Sequence, residues 1–293
     1  MSADLRHWLA ATRPKTLPAA IVPVGVASAA AARVGRVDLP LSVAALAGAV
    51  LIQILTNFLN EIEDFRRGAD TPDRVGPTRM VAAGLISVKA MTGAVAVLYV
   101  LILGLGVDLV AHGGVVIVVI GALSLLFSWA YTGGPYPLAY HGLAEVFVLL
   151  FFGLVAVNGT YFLLAGTFSS VVAVASLAPG LLSMNILGVN NIRDLETDRA
   201  CGKLTLAVRL GRSAAVRLYA AANLVAFATV PVVAALDGQW VLLLPLAAFP
   251  VSLGVLQDLS RKTGAQLNTV LARTGVVLAL YGLLMTAAFL LAR

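Results

Sequence analysis

Two short stretches of this sequence carry carboxylate and amide side chains at helical spacing. The first spans residues 57–79 and reads N-F-L-N-E-I-E-D-F-R-R-G-A-D-T-P-D-R-V-G-P-T-R. On a continuing helix, Asn57, Asn60 (or Glu61) and Asp64 are three and four residues apart and therefore share one face. That face presents hard oxygen ligands to its surroundings.

The second stretch spans residues 190–211 and reads N-N-I-R-D-L-E-T-D-R-A-C-G-K-L-T-L-A-V-R-L-G. Asn190 or Asn191, Asp194 and Asp198 again have a spacing of three or four residues. Each stretch directly follows an apolar run, with no turn signal between them. The pattern therefore predicts two carboxylate faces at the membrane interface.

These residue types favour a metal ion bound together with a diphosphate. Asp and Asn oxygens without His or Cys suit Mg²⁺ or Ca²⁺ and not zinc, and Mg²⁺ commonly combines one or two carboxylates with phosphate oxygens of a substrate. Basic residues among the acids offer counter-charge for the remaining phosphate oxygens. They are Arg67, Arg74, Arg79, Lys203 and Arg209.

For one stretch alone, a solvated loop whose charges only set membrane topology is an equally good interpretation. The two stretches match, however, at an offset of 130 residues. The matched pairs are Asn60 with Asn190, Ile62 with Ile192, Asp64 with Asp194 and Arg79 with Arg209. The offset equals four predicted membrane spans, so we predict a pseudo-repeat of four-helix units, each bringing one carboxylate face to a shared cavity.

The composition predicts the elements that position these stretches. Of the 293 residues, 60% are hydrophobic and only 12% are charged, against about 25% charged in soluble domains. This excludes a soluble globular protein and predicts a polytopic protein of the lipid bilayer. The formal charge of +6 does not indicate nucleic acid as a partner, because nucleic-acid-binding proteins carry basic patches on soluble surfaces.

The apolar runs predict an all-α membrane protein with a single transmembrane domain over residues 1–293. They are continuously apolar, whereas strands of a membrane barrel alternate lipid-facing and lumen-facing residues. Runs of roughly 20 residues cross a bilayer. The nine predicted spans are 17–33, 40–59, 89–109, 113–131, 142–166, 170–189, 214–235, 239–257 and 267–291.

The distribution of positive charge predicts the orientation. On this span assignment, 17 of the 20 Lys and Arg residues fall on one side of the membrane. The positive-inside rule places that side in the cytoplasm. We therefore expect an integral protein of a bacterial cytoplasmic (inner) membrane, with the amino terminus in the cytoplasm and the carboxyl terminus outside.

A metal–diphosphate site beside an apolar bundle suits a substrate with a charged head and a long hydrocarbon tail, which is the shape of a polyprenyl diphosphate. Mg²⁺ would act as a Lewis acid on the leaving diphosphate, and exclusion of water would protect the allylic cation. A secondary transporter is an alternative class. It predicts acids near the bilayer midplane in broken helices, whereas here they cluster at the helix ends.

Four stretches in the expected order resemble the UbiA superfamily of intramembrane aromatic prenyltransferases. They are R-P-K-T-L-P at 13–18, the stretch at 57–79 with D-x-P-D-R-x-G-P, Y-T-G-G-P-Y-P-L at 131–138, and the stretch at 190–211 with R-D-x-x-x-D-R and G-K-x-T-L-x-V-R-L-G. The two acidic stretches are specific for the superfamily. The other two favour its 1,4-dihydroxy-2-naphthoate polyprenyltransferase branch.

The resemblance implies nine helices around a central cavity and two magnesium ions held through the acidic stretches. It implies Mg²⁺-dependent transfer of a polyprenyl group from polyprenyl diphosphate to dihydroxynaphthoate with loss of CO₂, which gives demethylmenaquinol in menaquinone biosynthesis. The implied catalytic residues are Asp64, Asp194, Asp198 and Lys203. The implied metal ligands are Asn60, Glu61, Asp64, Asp70, Asp73, Asp194 and Asp198. The expected substrate-binding residues are Asn57, Asn60, Arg67, Arg74, Arg79, Tyr131, Asn190, Asn191 and Arg209.

The sequence departs from the family pattern at three positions. The family usually has N-D-x-x-D where this chain has Asn60, Glu61 and Asp64; Gly68 replaces a third acid of the superfamily; and His141 stands where a basic residue is common. Glu can still bind Mg²⁺. A prenyltransferase acting on another aromatic acceptor, such as 4-hydroxybenzoate, therefore remains an alternative.

Overall fold

The structure, a computed structural model, describes residues 4–70 and 75–292. Within these residues the secondary structure is entirely helical, which confirms the predicted all-α class. Asp73 and Arg74, two of the predicted site residues, lie outside the described residues.

The first half of the chain forms one short helix and three longer ones. They are α1 (Leu5–Ala11), α2 (Pro18–Arg33), α3 (Leu39–Arg66) and α4 (Val88–Ala130), with a 3₁₀ turn at Pro14–Thr16 between α1 and α2. The sequence 131–143 that follows contains a second 3₁₀ turn, Leu138–Tyr140.

The second half begins with a span built from α5 (Ala144–Val148), a π-helical segment (Leu149–Val155) and α6 (Ala156–Ala165). The next span combines α7 (Ser170–Ala175) and α8 (Leu177–Arg193). The remaining helices are α9 (Leu195–Ala200), α10 (Leu206–Leu210), α11 (Arg212–Asp237), α12 (Phe249–Arg261) and α13 (Leu267–Leu291), with 3₁₀ segments at Trp240–Ala248 and Gly264–Gln266.

Among the described residues, seven helices are long and apolar enough to cross a membrane, or up to eight if the bent pair Leu5–Thr16 and Pro18–Arg33 counts as one span. The 43-residue helix α4 contains two of the predicted spans, 89–109 and 113–131. At 1.5 Å per residue it would measure about 64 Å, roughly twice the hydrocarbon core of a bilayer. Non-helical torsions interrupt it at Gly114 (φ 58°, ψ −148°). The protein is an integral membrane protein, and the exact number of nine spans stays a prediction.

An ion pair and a hydrogen bond, both made by Arg33, connect the ends of three helices at one end of the bundle. Arg33, at the end of α2, contacts Asp237 at the end of α11 with Nη2 and Oδ2 2.6 Å apart. Arg33 also donates a hydrogen bond to the Ala292 carbonyl, just beyond α13. The ends of the first, seventh and ninth predicted spans therefore lie together, which agrees with an alternating path of the chain across the membrane.

Helix α3 extends past the predicted span 40–59 and ends at Arg66. Its 28 residues measure about 42 Å, so the helix is longer than the roughly 30 Å hydrocarbon core. Asn57, Asn60 and Asp64 lie in this continuing part and are buried. The first acidic stretch is thus positioned by an uninterrupted helix, as its spacing predicts.

Two glycines allow the fifth and sixth predicted spans to touch along their backbones. A Cβ atom built on Gly153, in the π-helical segment, would lie 2.8 Å from the Ser176 carbonyl oxygen and 2.9 Å from the Cα of Gly180. A Cβ on Gly180 would lie 2.7 Å from the Leu149 carbonyl oxygen. Small residues at such contacts let membrane helices pack closely, and this contact supports α8, which leads into the second acidic stretch.

Replacing Gly153 or Gly180 by Ala should destabilise the protein, because backbone atoms on the opposite helix would have to move. Overpacking of this kind costs about 1–3 kcal/mol. We expect a lower midpoint of thermal unfolding in detergent for both variants. Gly104→Ala, at a helical position with no atom within 4 Å of a built Cβ, is the matched control and should not lower the midpoint. Equal midpoints for all three variants would contradict the close contact.

Candidate active site

The carboxylate of Asp64 is the centre of a buried polar cluster. The residue is 1% exposed. Its Oδ2 lies 3.0 Å from Nη2 of Arg79 and 3.6 Å from Nζ of Lys203. Its Oδ1 accepts a hydrogen bond of 2.9 Å from the Tyr140 hydroxyl. Two predicted cations therefore meet at one predicted carboxylate, although the three partners come from separate parts of the chain.

Arg79 joins three acids of the first stretch. Besides Asp64, its guanidinium contacts Glu61 (Nη1 to Oε1, 3.2 Å) and Asp70 (Nε to Oδ1, 3.2 Å). The Arg79 side chain is itself only 8% exposed. Burying a charge is costly unless it is paired, so this one cation stabilises a group of acids that would otherwise repel each other.

Glu61 fixes neighbouring segments to α3. Its Oε2 accepts a hydrogen bond from the Val81 amide at 3.2 Å, and its Oε1 lies 3.4 Å from Nη2 of Arg13. The longer side chain at this position thus reaches both the segment after Arg79 and the segment before α2. Glu61 is a predicted metal ligand, and in this structure it contacts Arg13, Arg79 and the Val81 amide.

Arg13 has an unusual backbone conformation at the edge of the site. Its φ of 51° is positive, which among the described residues is otherwise seen only at glycines. The following residue, Pro14, further restricts this conformation. Non-glycine residues in the left-handed region are uncommon, and such strained positions cluster at functional sites. Arg13 is therefore a candidate functional residue, although the predicted site set did not include it.

The second acidic stretch has a different local structure from the first. Helix α8 ends at Arg193, and Asp194 caps it before α9 begins. One helix does not continue through this stretch, but the Asp198 amide donates to the Asp194 carbonyl at 2.8 Å and preserves the spacing. Asp194 binds Arg193 through two hydrogen bonds of 2.8 and 2.7 Å.

Asp198 links the two acidic stretches through Lys203. Its carbonyl accepts a hydrogen bond of 2.8 Å from the Lys203 amide, and the Lys203 ammonium points to Asp64 and lies 5.2 Å from the centre of the Tyr140 ring. The turn between residues 198 and 203 therefore places the ammonium of Lys203, from the second stretch, beside the carboxylate of Asp64, from the first. The structure brings the two stretches together, as the predicted shared cavity requires.

A cavity of about 870 Å³ opens beside this cluster. At one end its lining is polar. Arg13, Asn57, Asn60, Tyr131 and Asn190 contribute to that end. The rest of the wall is mainly apolar and comes from α2, α3, α4, the span from α5 to α6, and α8. Lining residues Leu103, Val107 and Val118 are also exposed on the outer surface, so the apolar part reaches the membrane-facing side.

Hydrogen bonds hold the amides of the first stretch in place. The Asn57 amide nitrogen donates to the Thr12 carbonyl at 2.9 Å. The Asn60 amide oxygen accepts from the Thr132 hydroxyl at 2.8 Å. Because Thr132 follows Tyr131 directly, this bond fixes the end of α4 against α3 beside the cavity.

Several predicted substrate-binding residues have contacts of other kinds. Arg67 donates to the carbonyls of Thr132 and Gly134 and lies 5.3 Å from the centre of the Tyr140 ring. Arg209 donates to the Leu204 carbonyl, so the partner of Arg79 in the predicted repeat does not contact Asp194 in the same way.

The two neighbouring asparagines of the second stretch also differ. Asn190 lines the large cavity, whereas Asn191 is buried and donates to Glu145. The sequence left open which of the two shares the carboxylate face, and only Asn190 lines the large cavity.

The environment keeps two tyrosines protonated. Burial raises the pKa of the Tyr140 hydroxyl above its ordinary value of 10.0, and the charge of Asp64 and the hydrogen bond to it raise it further. Burial likewise raises the pKa of Tyr131, with a further contribution from Glu145. Both hydroxyls therefore remain hydrogen-bond donors at neutral pH, and Tyr140 uses its proton to orient Asp64.

The donor atoms of the two stretches fit Mg²⁺ in their chemistry. Asp64, Asp194 and Asp198 supply buried carboxylates, and Asn60 and Asn190 supply amide oxygens. These are hard oxygen ligands. In the part of the chain that the structure describes, no three His, Cys, Asp or Glu side chains are grouped so that they could hold a metal ion. Asp64 contacts Arg79, Lys203 and Tyr140, and Asp194 contacts Arg193.

The sequence-based set omitted Thr132, Tyr140 and Arg193 as well as Arg13. Tyr140 lies near the end of the loop that begins with Tyr131, and Arg193 directly precedes Asp194. The position of Arg193 directly before Asp194 was the sequence signal that could have identified it as a site residue. No signal in the sequence shows that the Tyr140 ring folds back onto Asp64, because 76 residues separate the two.

Comparison with known proteins identifies the family of this chain. The model of the UbiA prenyltransferase family matches residues 20–274. The chain is 39% identical over 219 residues to 1,4-dihydroxy-2-naphthoate octaprenyltransferase of Escherichia coli, covering 73% of this chain and 71% of the relative. It is 34% identical over 291 residues to the protein of the same name from Mycobacterium leprae, covering 99% and 98% of the two chains.

The fold also matches solved structures. A UbiA homologue from Archaeoglobus fulgidus, solved with GPP and Mg²⁺ bound, superposes with a TM-score of 0.67. The alignment covers 97% of this chain and 99% of the archaeal one, and 15% of the residues are identical. At that identity the likeness shows the fold alone. The matched family model and the two bacterial relatives show that the chain belongs to the UbiA prenyltransferase family.

Proposed function

We propose that the protein transfers a polyprenyl group from polyprenyl diphosphate to 1,4-dihydroxy-2-naphthoate. The carbon–oxygen bond to the diphosphate breaks, and its electron pair leaves with the diphosphate. The prenyl carbon bonds to the naphthoate ring, and the ring carboxylate leaves as CO₂, which gives demethylmenaquinol. The names of the bacterial relatives, including one that aligns over 98% of its length, support this choice of acceptor.

The cavity is the observation that carries the proposal. It combines a polar end, beside both acidic stretches, with an apolar wall that reaches the membrane-facing surface. A diphosphate head fits the polar end, and a polyprenyl tail fits the apolar part. A volume of about 870 Å³ lies within the usual range of about 300–1,000 Å³ for small-molecule sites.

Arg79 and Lys203 supply positive charge at the head of this site. In the structure they neutralise Asp64, and the same cations provide counter-charge for a diphosphate. We assign further phosphate contacts to Arg67, Arg74 and Arg209, as the sequence predicts. Among these, Arg67 and Arg209 contact backbone carbonyls here.

We assign a divalent metal, Mg²⁺, to Asn60, Asp64, Asp194 and Asp198, with Glu61, Asp70 and Asp73 as further ligands. When bound, Mg²⁺ polarises the leaving diphosphate as a Lewis acid. The archaeal homologue solved with GPP and Mg²⁺ supports this choice of metal and of substrate class. Lys203 and Asp64 would serve as catalytic residues that hold and orient the diphosphate.

The apolar wall has a chemical role as well as a binding role. An allylic cation reacts readily with water, so water must be excluded while the new bond forms. Tyr131 and Asn190 line the cavity beside the acidic stretches and are placed to contact the substrate. We further propose that residues 1–293 form one catalytic domain in a bacterial cytoplasmic membrane, with the amino terminus in the cytoplasm and the carboxyl terminus outside.

The reaction is tested directly with the purified protein in detergent. With octaprenyl diphosphate, 1,4-dihydroxy-2-naphthoate and Mg²⁺, mass spectrometry should detect the prenylated, decarboxylated naphthoquinol. Excess EDTA should abolish the product, and added Mg²⁺ should restore it. A parallel reaction with 4-hydroxybenzoate is the control for acceptor choice. Prenylation of 4-hydroxybenzoate in preference to the naphthoate would contradict the proposed acceptor, and undiminished product in EDTA would contradict the metal.

Asp64→Asn and Asp194→Asn test the acidic residues. Each should reduce turnover by at least the roughly 10–100-fold typical for metal-site partners, because each removes a charge while keeping the shape. Glu63→Gln is the matched control on the same helix, since Glu63 pairs with the exposed Arg66 and such pairs contribute little. Membrane insertion, measured by fractionation, should be unchanged in all three. Wild-type turnover in either Asp variant would exclude it from the site.

Tyr140→Phe tests the orientation of Asp64. The change removes only the hydroxyl that donates to Oδ1 and keeps the ring beneath Lys203. We expect turnover to fall about tenfold, in the range of residues that orient a metal ligand, with little change in thermal stability. Tyr136→Phe is the control, because that ring stacks on His141 and has no contact with Asp64. Equal effects of the two substitutions would argue against a role for the Tyr140 hydroxyl.

A further inference from the structure

Glu145 is a carboxylate within a membrane-spanning segment that the site described above does not use. It lies in the first turn of α5 and is 5% exposed. Ionisable side chains in membrane spans are rare because they are costly to bury, and they commonly mark functional positions.

One oxygen of Glu145 has a clear partner. Oε1 accepts a hydrogen bond of 2.8 Å from the amide nitrogen of Asn191. Asn191 is buried on α8, directly after Asn190, which lines the large cavity, and three residues before Asp194. The bond therefore connects the start of α5 to the part of α8 that carries the second acidic stretch.

The other oxygen of Glu145 is enclosed by the protein. Oε2 is buried and has no hydrogen-bond partner among the described protein atoms. A small cavity of about 20 Å³ adjoins this region and is lined by Glu145, Asn185, Asn191 and Tyr219. A buried polar atom without a partner destabilises the fold, so Glu145 is a poor choice for stability alone and its position calls for a functional explanation.

The loop that precedes Glu145 is bonded back to Tyr131. The Ala139 amide donates to the Tyr131 carbonyl at 2.8 Å, and the Leu143 amide, two residues before Glu145, donates to the Leu138 carbonyl at 3.2 Å. Tyr131 lines the large cavity from the end of α4. The start of α5 is therefore tied to the Tyr131 side of the cavity, while the Glu145 side chain binds the helix that carries Asn190.

We propose that Glu145 is a positioning residue that, through its hydrogen bond to Asn191, holds the second acidic stretch in register with the Tyr131 side of the substrate cavity. This proposal rests on the proposed prenyl transfer. Glu145 does not line the large cavity and acts through Asn191. Its loss would leave a buried amide unsatisfied, which lets the end of α8 change its position.

Glu145→Gln, Glu145→Leu and Asn191→Ala test this role. Gln keeps an oxygen that accepts from Asn191, whereas Leu cannot accept and Ala at 191 cannot donate. We expect Glu145→Leu and Asn191→Ala to lower kcat by about 10–100-fold, the range for residues that orient a site. The KM for octaprenyl diphosphate should stay near that of the wild type, and Glu145→Gln should retain most of the kcat.

The double variant Glu145→Leu/Asn191→Ala should lose no more activity than either single variant, because the two residues act as one unit. Asn185→Ala is the matched control. Asn185 is buried on the same helix and lines the same small cavity, but it donates to the Tyr219 carbonyl and not to Glu145. We expect this control to lower the unfolding temperature while kcat is preserved.

The outcomes distinguish a failure of the proposed prenyl transfer from a failure of the positioning role of Glu145. A wild-type protein that does not prenylate the naphthoate contradicts the proposed function. With an active wild type, an unchanged kcat in Glu145→Leu would falsify the positioning role. The role is also overturned if Glu145→Gln is as inactive as Glu145→Leu, since the charge or a proton would then be required, or if Asn185→Ala loses kcat equally, since the effect would then be a general loss of stability.

Discussion

The pairing of buried acids with buried cations is the constraint on which this end of the bundle depends. Asp64 is almost fully enclosed, so its charge requires partners. Those partners are Arg79 and Lys203, from two different connections of the chain. Glu61 and Asp70 contact the same Arg79 guanidinium that binds Asp64. The connection after α3, the connection after α8 and the Tyr140 loop are therefore fixed relative to each other by one cluster of charges.

The same constraint explains how the site can accept a highly charged substrate next to hydrocarbon. A diphosphate brings negative charge to a region that already contains several acids, and only fixed cations make that favourable. Arg79 and Lys203 are already oriented by their carboxylate partners, so little side-chain entropy is lost when they contact phosphate. The acids thus have a role before any metal binds, because they prearrange the cations.

Sequence patterns predicted the helices of this protein more accurately than they predicted the contacts between its side chains. Continuous apolar runs revealed the spans, and the spacing of Asn57, Asn60 and Asp64 correctly placed them on one continuing helix. The break at Asp194 was not predicted, because no Gly or Pro marks it. Tyr140 was also missed as a partner of Asp64, because a contact across a folded loop leaves no periodic signal. The proposed metal and substrate roles of these residues stay predictions.

The two stretches of the internal repeat share some structural features and differ in others. Ile62 and Ile192 are both buried, as are Asp64 and Asp194, and Asn60 and Asn190 both line the cavity. Arg79 is buried but its counterpart Arg209 is exposed, so the repeat holds for three of the four matched pairs. It does not hold for charge pairing. Arg79, which is 15 residues away, binds Asp64, whereas the adjacent Arg193 binds Asp194 and Arg209 donates to the Leu204 carbonyl. The contact of Asp64 with Arg79 therefore requires the connection after α3 to fold back, while the contact of Asp194 with Arg193 joins direct neighbours in sequence. The two halves of the site differ in local structure, one being a continuous helix and the other a broken one, and in the sequence distance between each acid and its arginine.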